Sequence, residues 1–185
     1  MARPKVAHPQ SHTKEIAKSL KRERPDLDPA DYLYLLYAER LGRILDTVDD
    51  RHCRKEYGIG VADMRVLYVL RRAGRPYALR PTELFRALLV TSGAITKQVD
   101  RLVAAGLVDR QPGPDKSGGF LIHLTRKGHA VADSALTSIV NSSVASINRL
   151  TRQERLTLCT LFEKVLLDLE ERLRESFEGS LRGRA

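Results

Sequence analysis

Residues 80–131 read RPTELFRALLVTSGAITKQVDRLVAAGLVDRQPGPDKSGGFLIHLTRKGHAV, and the fold turns on this stretch because its apolar period changes within it. Thr82 is placed to cap a short helix that carries Glu83 in its first turn. Val90 and Thr91 interrupt the helical pattern. A second helix then runs from a Thr91 cap to Gly106, with Ile95, Val99 and Leu102 at three- and four-residue steps. Beyond Gly106 the period shortens. Leu107 to Gln111 and Phe120 to Leu124 are β-prone runs, and PGPDKSGG between them is a turn-rich loop of hairpin length. Helix, turn, helix and hairpin in this order make a winged helix-turn-helix module.

Working outward, Val61, Ala62 and Asp63 open a preceding helix that carries Met64, Leu67, Tyr68 and Leu70 and stops at Gly74. Upstream, Asp28 is placed as the N-cap of a helix with Pro29 at its first position. Leu33, Leu36, Tyr37, Leu41, Ile44, Leu45 and Val48 then mark one apolar face as far as about Tyr57. Lys14 to Arg24 predicts a short helix, and residues 1–13, which show no periodicity, predict a disordered arm. After Thr125 the chain returns to helix through Ala130, Val131, Ala135, Ile139, Val140, Val144 and Ile147. A last helix is capped by Thr151 with Glu154 three residues on. The expected class is mainly α (α+β). The expected plan is an arm over 1–28, a long helix over 29–59, the winged core over 60–125, helices over 126–178 and a frayed tail over 179–185. The flanking helices are strongly apolar on one face, which predicts that they pack on each other and that a second copy, in a dimer, covers what remains.

The 185 residues include 32 Lys+Arg against 23 Asp+Glu, a net charge of +9. The excess is concentrated: residues 60–125 hold ten cations and five anions. A basic domain of this kind suits a polyanionic partner, although the same excess would also serve solubility alone. No apolar run approaches the ~20 residues of a membrane span. No signal-like apolar stretch opens the chain, and only two cysteines, Cys53 and Cys159, are present. A reducing cytoplasm is therefore expected, with no membrane partner.

On a helical wheel for residues 91–102, Gly93, Thr96, Lys97, Asp100 and Arg101 fall opposite Ile95, Val99 and Leu102. A helix entering the major groove needs small or hydrogen-bonding residues near its N-terminus and cations for phosphates. Ser92, Gly93 and Thr96 meet the first need, Lys97 and Arg101 the second, and Thr91 caps a helix end that itself favours phosphate. Arg80, Thr82, Arg86 and Arg110 would line the DNA backbone around it. An ordinary solvated face would carry similar residues; its place inside a tight helix-turn-helix favours DNA.

With these residues in view, the stretch resembles the DNA-binding core of MarR-type transcriptional regulators. The likeness rests on Leu107, Val108 and Arg110, on a wing with Pro112 and Asp115, and on the closing Leu124, Thr125 and Gly128. The resemblance implies a homodimer on a pseudo-palindromic duplex operator, acting as a repressor, with wing tips at the minor groove. It also implies control by a small aromatic or phenolic effector, or by cysteine oxidation. Tyr32, Tyr37, Arg40, Arg65 and Tyr68 are the residues that would line the effector pocket, and ordinary core tyrosines and surface arginines would look the same. Relatives that respond to urate use a tryptophan in an extra N-terminal helix; this chain has no Trp and offers Leu20 there, which disfavours urate.

One departure concerns the wing. The family places an arginine two residues after the wing aspartate, where this chain reads Asp115, Lys116, Ser117, Gly118 and Gly119. Lys116 and Ser117 are thus the wing's expected DNA contacts, and a lysine is a point charge without the flat fork of arginine. No cofactor or metal is expected, since His8, His12, His52, His123 and His129 form no ligand cluster. Nor is an enzyme, since no phosphate-binding loop, G-x-S-x-G or H-E-x-x-H occurs. The rival readings are a winged-helix protein-interaction module that has lost DNA binding, a thiol-based sensor, and an enzyme built on a winged scaffold. Lys116→Ala should weaken DNA affinity alike on all sequences, as measured by anisotropy on a panel of duplexes; a loss confined to particular base positions would contradict this.

Overall fold

Prolines open three helices of this chain, and glycines follow the ends of others. A computed structural model describes residues 9–113, 119–146 and 150–182, with side chains over 14–113, 119–141 and 150–173. The order is α1 (Pro9–Glu23), α2 (Pro29–Tyr57), α3 (Val61–Arg72), β1 (Ala78–Leu79), α4 (Pro81–Leu88), α5 (Ser92–Ala104), β2 (Val108–Pro112), β3 (Phe120–Leu124), α6 (Arg126–Ser146) and α7 (Arg152–Arg182). The chain divides into two units, the first ending at Asp133 and the second beginning at Ser134, inside α6.

The expected caps explain most boundaries. Asp28 accepts a hydrogen bond from the Ala30 N–H at 2.9 Å, with Pro29 at the first helical position, and Gly58, in the left-handed region, closes α2 by donating to the Arg54 carbonyl at 3.2 Å. Two expectations need correction. Helix α1 starts at Pro9, earlier than Lys14, because proline presets helical φ at a first turn and Ile16, Ala17 and Leu20 gain partial burial in a helix that packs on α2. Residues 1–8, with His8, lie outside the described residues. Thr82 does not cap α4. Pro81 takes the first helical position and Arg80 becomes the N-cap, its backbone N–H donating to the Glu83 carboxylate at 2.7 Å.

The core of the first unit lies between α3, α4, α5 and the sheet. Met64, Val66, Leu67, Leu70, Leu84, Ile95, Leu102 and Ile122 are almost wholly removed from water there. The sheet has three antiparallel strands in the order β1–β3–β2. Val108 lies opposite Leu124 and Pro112 opposite Phe120, while Ala78 lies opposite His123. The β2–β3 hairpin closes through the Gly113 N–H donating to the Gly119 carbonyl at 2.8 Å. Asp115, Lys116 and Ser117 of the wing lie outside the described residues.

Thr125 ties the end of the hairpin to α6. Its hydroxyl donates to the Gly106 carbonyl at 2.8 Å and accepts from the Gly128 N–H at 3.0 Å, and its N–H donates to the Leu107 carbonyl at 3.1 Å. Gly128 is buried at this junction because nothing larger fits. A Cβ there would sit 1.9 Å from the Leu107 carbonyl oxygen. Nearby, Asp133 accepts from Arg71 at 2.7 Å and faces His129 at 3.3 Å, while the His129 ring meets Tyr77 edge-on. The Arg71 guanidinium holds the Asp133 carboxyl below its ordinary range.

In the second unit, Thr151 and Glu154 form the expected capping box. The Thr151 N–H donates to the Glu154 carboxylate at 2.7 Å and the Glu154 N–H donates to the Thr151 hydroxyl at 3.2 Å. Helix α7 runs on through Gly179 to Arg182, into the stretch expected to fray. Its apolar residues from Leu156 to Leu173, including Leu161, Phe162 and Leu166, stay 37–68 % exposed. Among the described residues no helix is long and apolar enough to cross a membrane.

Gly128→Ala should lower stability by about 3 kcal/mol, since its new methyl collides with backbone that cannot yield as a side chain end can. Urea unfolding checks this; an unchanged midpoint would show that the junction is looser than its contacts imply.

Candidate nucleic-acid interface

The sequence of α5 separates its two faces. Ile95, Val99 and Leu102 are buried, as the wheel predicts, and Gln98, flanked on the same side by Ile95 and Leu102, is buried with them. Opposite them Gly93, Thr96 and Lys97 are exposed, as is Ser92 at the helix start. Thr91 caps the helix by accepting from the Ala94 N–H at 3.2 Å, and the Thr96 hydroxyl donates back to the Ser92 carbonyl at 3.1 Å. A capped, exposed helix N-terminus lined by small and hydroxyl-bearing residues can approach a phosphate or a base edge closely.

The cations around this helix are divided by what holds them. Arg101 grips Asp63 of α3 with both arms of its guanidinium, Nε to Oδ2 at 2.9 Å and Nη2 to Oδ1 at 2.5 Å. The Asp63 side chain is only 8 % exposed while that of Arg101 is 56 % exposed, so the carboxylate is the buried partner and the guanidinium faces outward. Asp63 shares a helix face with Leu67 and Leu70, which is why it is buried. That same coincidence was the signal available in sequence, where Asp63 reads only as a helix-opening residue.

Asp100 shows the same logic in reverse. It lies on the outward face, where a bare carboxylate would repel phosphate, and the Arg110 guanidinium of β2 pairs with it. Arg110 also stacks 5.7 Å from the centroid of Phe120 on β3. The base of the wing is thereby tied to α5 by a charge pair and a cation–π contact. Asp63, Asp100 and Phe120 are the site residues that sequence reasoning missed. Thr82, Arg86 and Arg80 are exposed on or beside α4, and Lys116 and Ser117 fall outside the described residues.

Beside Asp63, the end of α2 braces the start of α3. Asp50 accepts from the Val61 N–H at 3.0 Å and from Arg54 Nε at 2.7 Å. Arg54, with the Val61 N–H, holds the Asp50 carboxyl below its ordinary range.

The residues expected around an effector do not gather in one place. Arg40 lines an open cavity of about 510 Å³ with Ile16 of α1 and Glu39, Arg43, Ile44, Thr47 and Val48 of α2. None of Tyr32, Tyr37, Arg65 or Tyr68 lines it. Tyr37 is exposed, and Arg65 pairs with Asp46. The Tyr32 and Tyr68 hydroxyls are buried with no hydrogen-bond partner among the described residues, and burial pushes Tyr68 above its ordinary range. Cys53 is buried, and desolvation together with Asp49 and Asp50 raises its thiol. A raised thiol favours the protonated form over the nucleophilic thiolate. Cys159 is exposed. No group of three metal-ligating side chains occurs among the described residues.

Comparison with known proteins converges on one family. The MarR family sequence profile matches residues 57–116, which run from the end of α2 into the wing. The multiple antibiotic resistance protein MarR of Escherichia coli (strain K12) is 34% identical over 133 residues, covering 68% of this chain and 90% of that protein. The HTH-type transcriptional regulator PecS of Dickeya dadantii (strain 3937) is 28% identical over 151 residues, 82% of this chain and 90% of that protein. A cysteine-to-serine variant of the E. coli MarR, solved in complex with operator DNA, superposes with a TM-score of 0.59 at 31% identity, covering 72% of this chain and 96% of that one.

The Asp63–Arg101 pair predicts an asymmetry in stability. Arg101→Ala, which leaves a buried carboxylate without its donor, should cost about 2 kcal/mol, and Asp63→Asn about 1 kcal/mol. Urea midpoints of the two variants at neutral pH check this, and equal midpoints would show that Asp63 does not depend on its partner.

Proposed function

Because the chain belongs to the MarR family of transcriptional regulators, which are not enzymes, we propose that it is a sequence-specific duplex-DNA-binding repressor working as a cytoplasmic homodimer on a pseudo-palindromic operator. The observation that supports this most is the outward face of α5. Gly93 lies in its first turn, and a Cβ there would meet nothing within 4 Å. No contact among the described residues calls for glycine at this position, although glycine orders less readily than alanine in a helix. Close approach of the α5 backbone to a phosphate supplies the reason.

In this reading Ser92, Gly93 and Thr96 address base edges while Lys97 and the outer edge of Arg101 meet phosphates, with Arg80, Thr82 and Arg86 flanking the groove. Arg110, paired with Asp100, sets the wing against α5, and Lys116 and Ser117 reach toward the minor groove. A second copy covers the exposed apolar faces of α2, with Leu41, Ile44, Leu45 and Val48, and of α7, with Leu161 and Leu166. Two copies then present two α5 helices about one DNA turn apart, roughly 34 Å. A small aromatic acid is the proposed effector, with the Arg40 guanidinium beside Ile16, Ile44 and Val48 as its counter-charge.

Selection of bound duplexes from a random pool should recover an inverted repeat, with two chains per duplex by light scattering. Affinity should fall steeply with salt as counterions are released. Thr96→Ala and Lys97→Ala together should abolish the enrichment. Retention of the same motif by that double variant would show that another element reads the DNA.

A further inference from the structure

Leu89 joins α4 to α5 and is unusual in two independent ways. Its backbone is left-handed, at φ 54° and ψ 42°, a conformation costly for a branched side chain and free for glycine. Its side chain is also 68 % exposed, more than any other large apolar residue between α3 and β3. The turn does not need that side chain. The Leu89 N–H donates to the Arg86 carbonyl at 3.3 Å and the Val90 N–H to the Phe85 carbonyl at 3.2 Å, bonds that glycine would make equally well. The core does not hold it either, whereas Leu84 of α4 is fully buried.

We propose that Leu89 is a specificity-determining residue that reads the C5-methyl group of a thymine at the edge of each half-site. The inference rests on α5 being the helix that enters the major groove. Leu89 stands two residues before Thr91, the cap of α5, and so belongs to the turn that leads into the helix end that would face the DNA. A protein partner would ask for a contiguous apolar patch. Here Leu88 and Val90 are half-buried, and the exposed side chains nearby in sequence, Arg86, Ala87, Thr91 and Ser92, include no second large apolar group. A single exposed branched apolar group, with no second large one beside it, fits a single methyl, and in the major groove only thymine offers one.

The test uses the full chain and the duplexes that it selects. Replacing dT by dU one position at a time removes only the methyl group. With the wild-type protein, one position per half-site should lose about fourfold in affinity, the worth of one buried methyl. Leu89→Ala should flatten that response while leaving the other positions unchanged. Leu89→Gly should flatten it too and raise Tm by about 3 °C, because the left-handed turn is relieved, which separates the DNA effect from loss of fold. A dT-to-dU profile identical in wild type and both variants overturns the inference alone. If the wild-type chain enriches no duplex, the DNA-reading assignment of α5 fails and this inference with it.

Discussion

The placement of α5 depends on a carboxylate that has little access to water. Asp63 sits on the core side of α3, on one face with Leu67 and Leu70, where an ionised group is tolerated only with a donor close by. Arg101 supplies that donor with two hydrogen bonds, and because it belongs to α5 the charge requirement of one helix becomes the position of another. Apolar packing by Ile95, Val99 and Leu102 presses α5 inward but leaves it free to rotate or slide by small amounts. A bidentate pair has direction and removes that freedom. The start of α3 is itself held by Asp50, which accepts from the Val61 N–H and from Arg54, so the brace continues into α2.

The same economy of charge shapes the wing. A carboxylate on the outer face of α5 would oppose any polyanion, and Asp100 avoids this by pairing with Arg110, which in turn rests on Phe120. Two arginines that sequence reasoning assigns to phosphate thus also serve internal partners, whereas Lys97 stands exposed. At the far end of the hairpin, Thr125 and Gly128 bring the start of α6 against the Gly106–Leu107 backbone at a distance that admits no side chain. The sheet, α5 and α6 therefore converge on a few contacts whose geometry has little slack.

Much of this was legible in the residues. Asp28 with Pro29, Gly58, Thr91, Gly106 and the Thr151–Glu154 box mark helix ends by local chemistry that operates within four residues, and the structure keeps each of them. Thr82 misled because two signals competed: a hydroxyl suited to capping, and a proline just before it suited to a first helical position. The proline prevailed, since its φ is already helical and its missing N–H is one the helix start would leave without a partner. The start of α1 was missed because residues 9–13 have no apolar period of their own. The partial burial of Ile16, Ala17 and Leu20 in a helix that packs on α2 supports that helix.

By itself the sequence determined the order of elements, the switch from helical to strand period after Gly106, and which face of α5 turns inward. These follow from interactions between near neighbours and from the spacing of apolar residues. Only the tertiary structure decided which cation serves which carboxylate, that Asp63 is buried while Arg101 faces outward, that Arg40 stands apart from Arg65 and Tyr68, and that Leu89 is held in a left-handed turn in full view of solvent. Such pairings join residues tens of positions apart. Their energies depend on distance and on access to water, and neither quantity exists until the chain has folded.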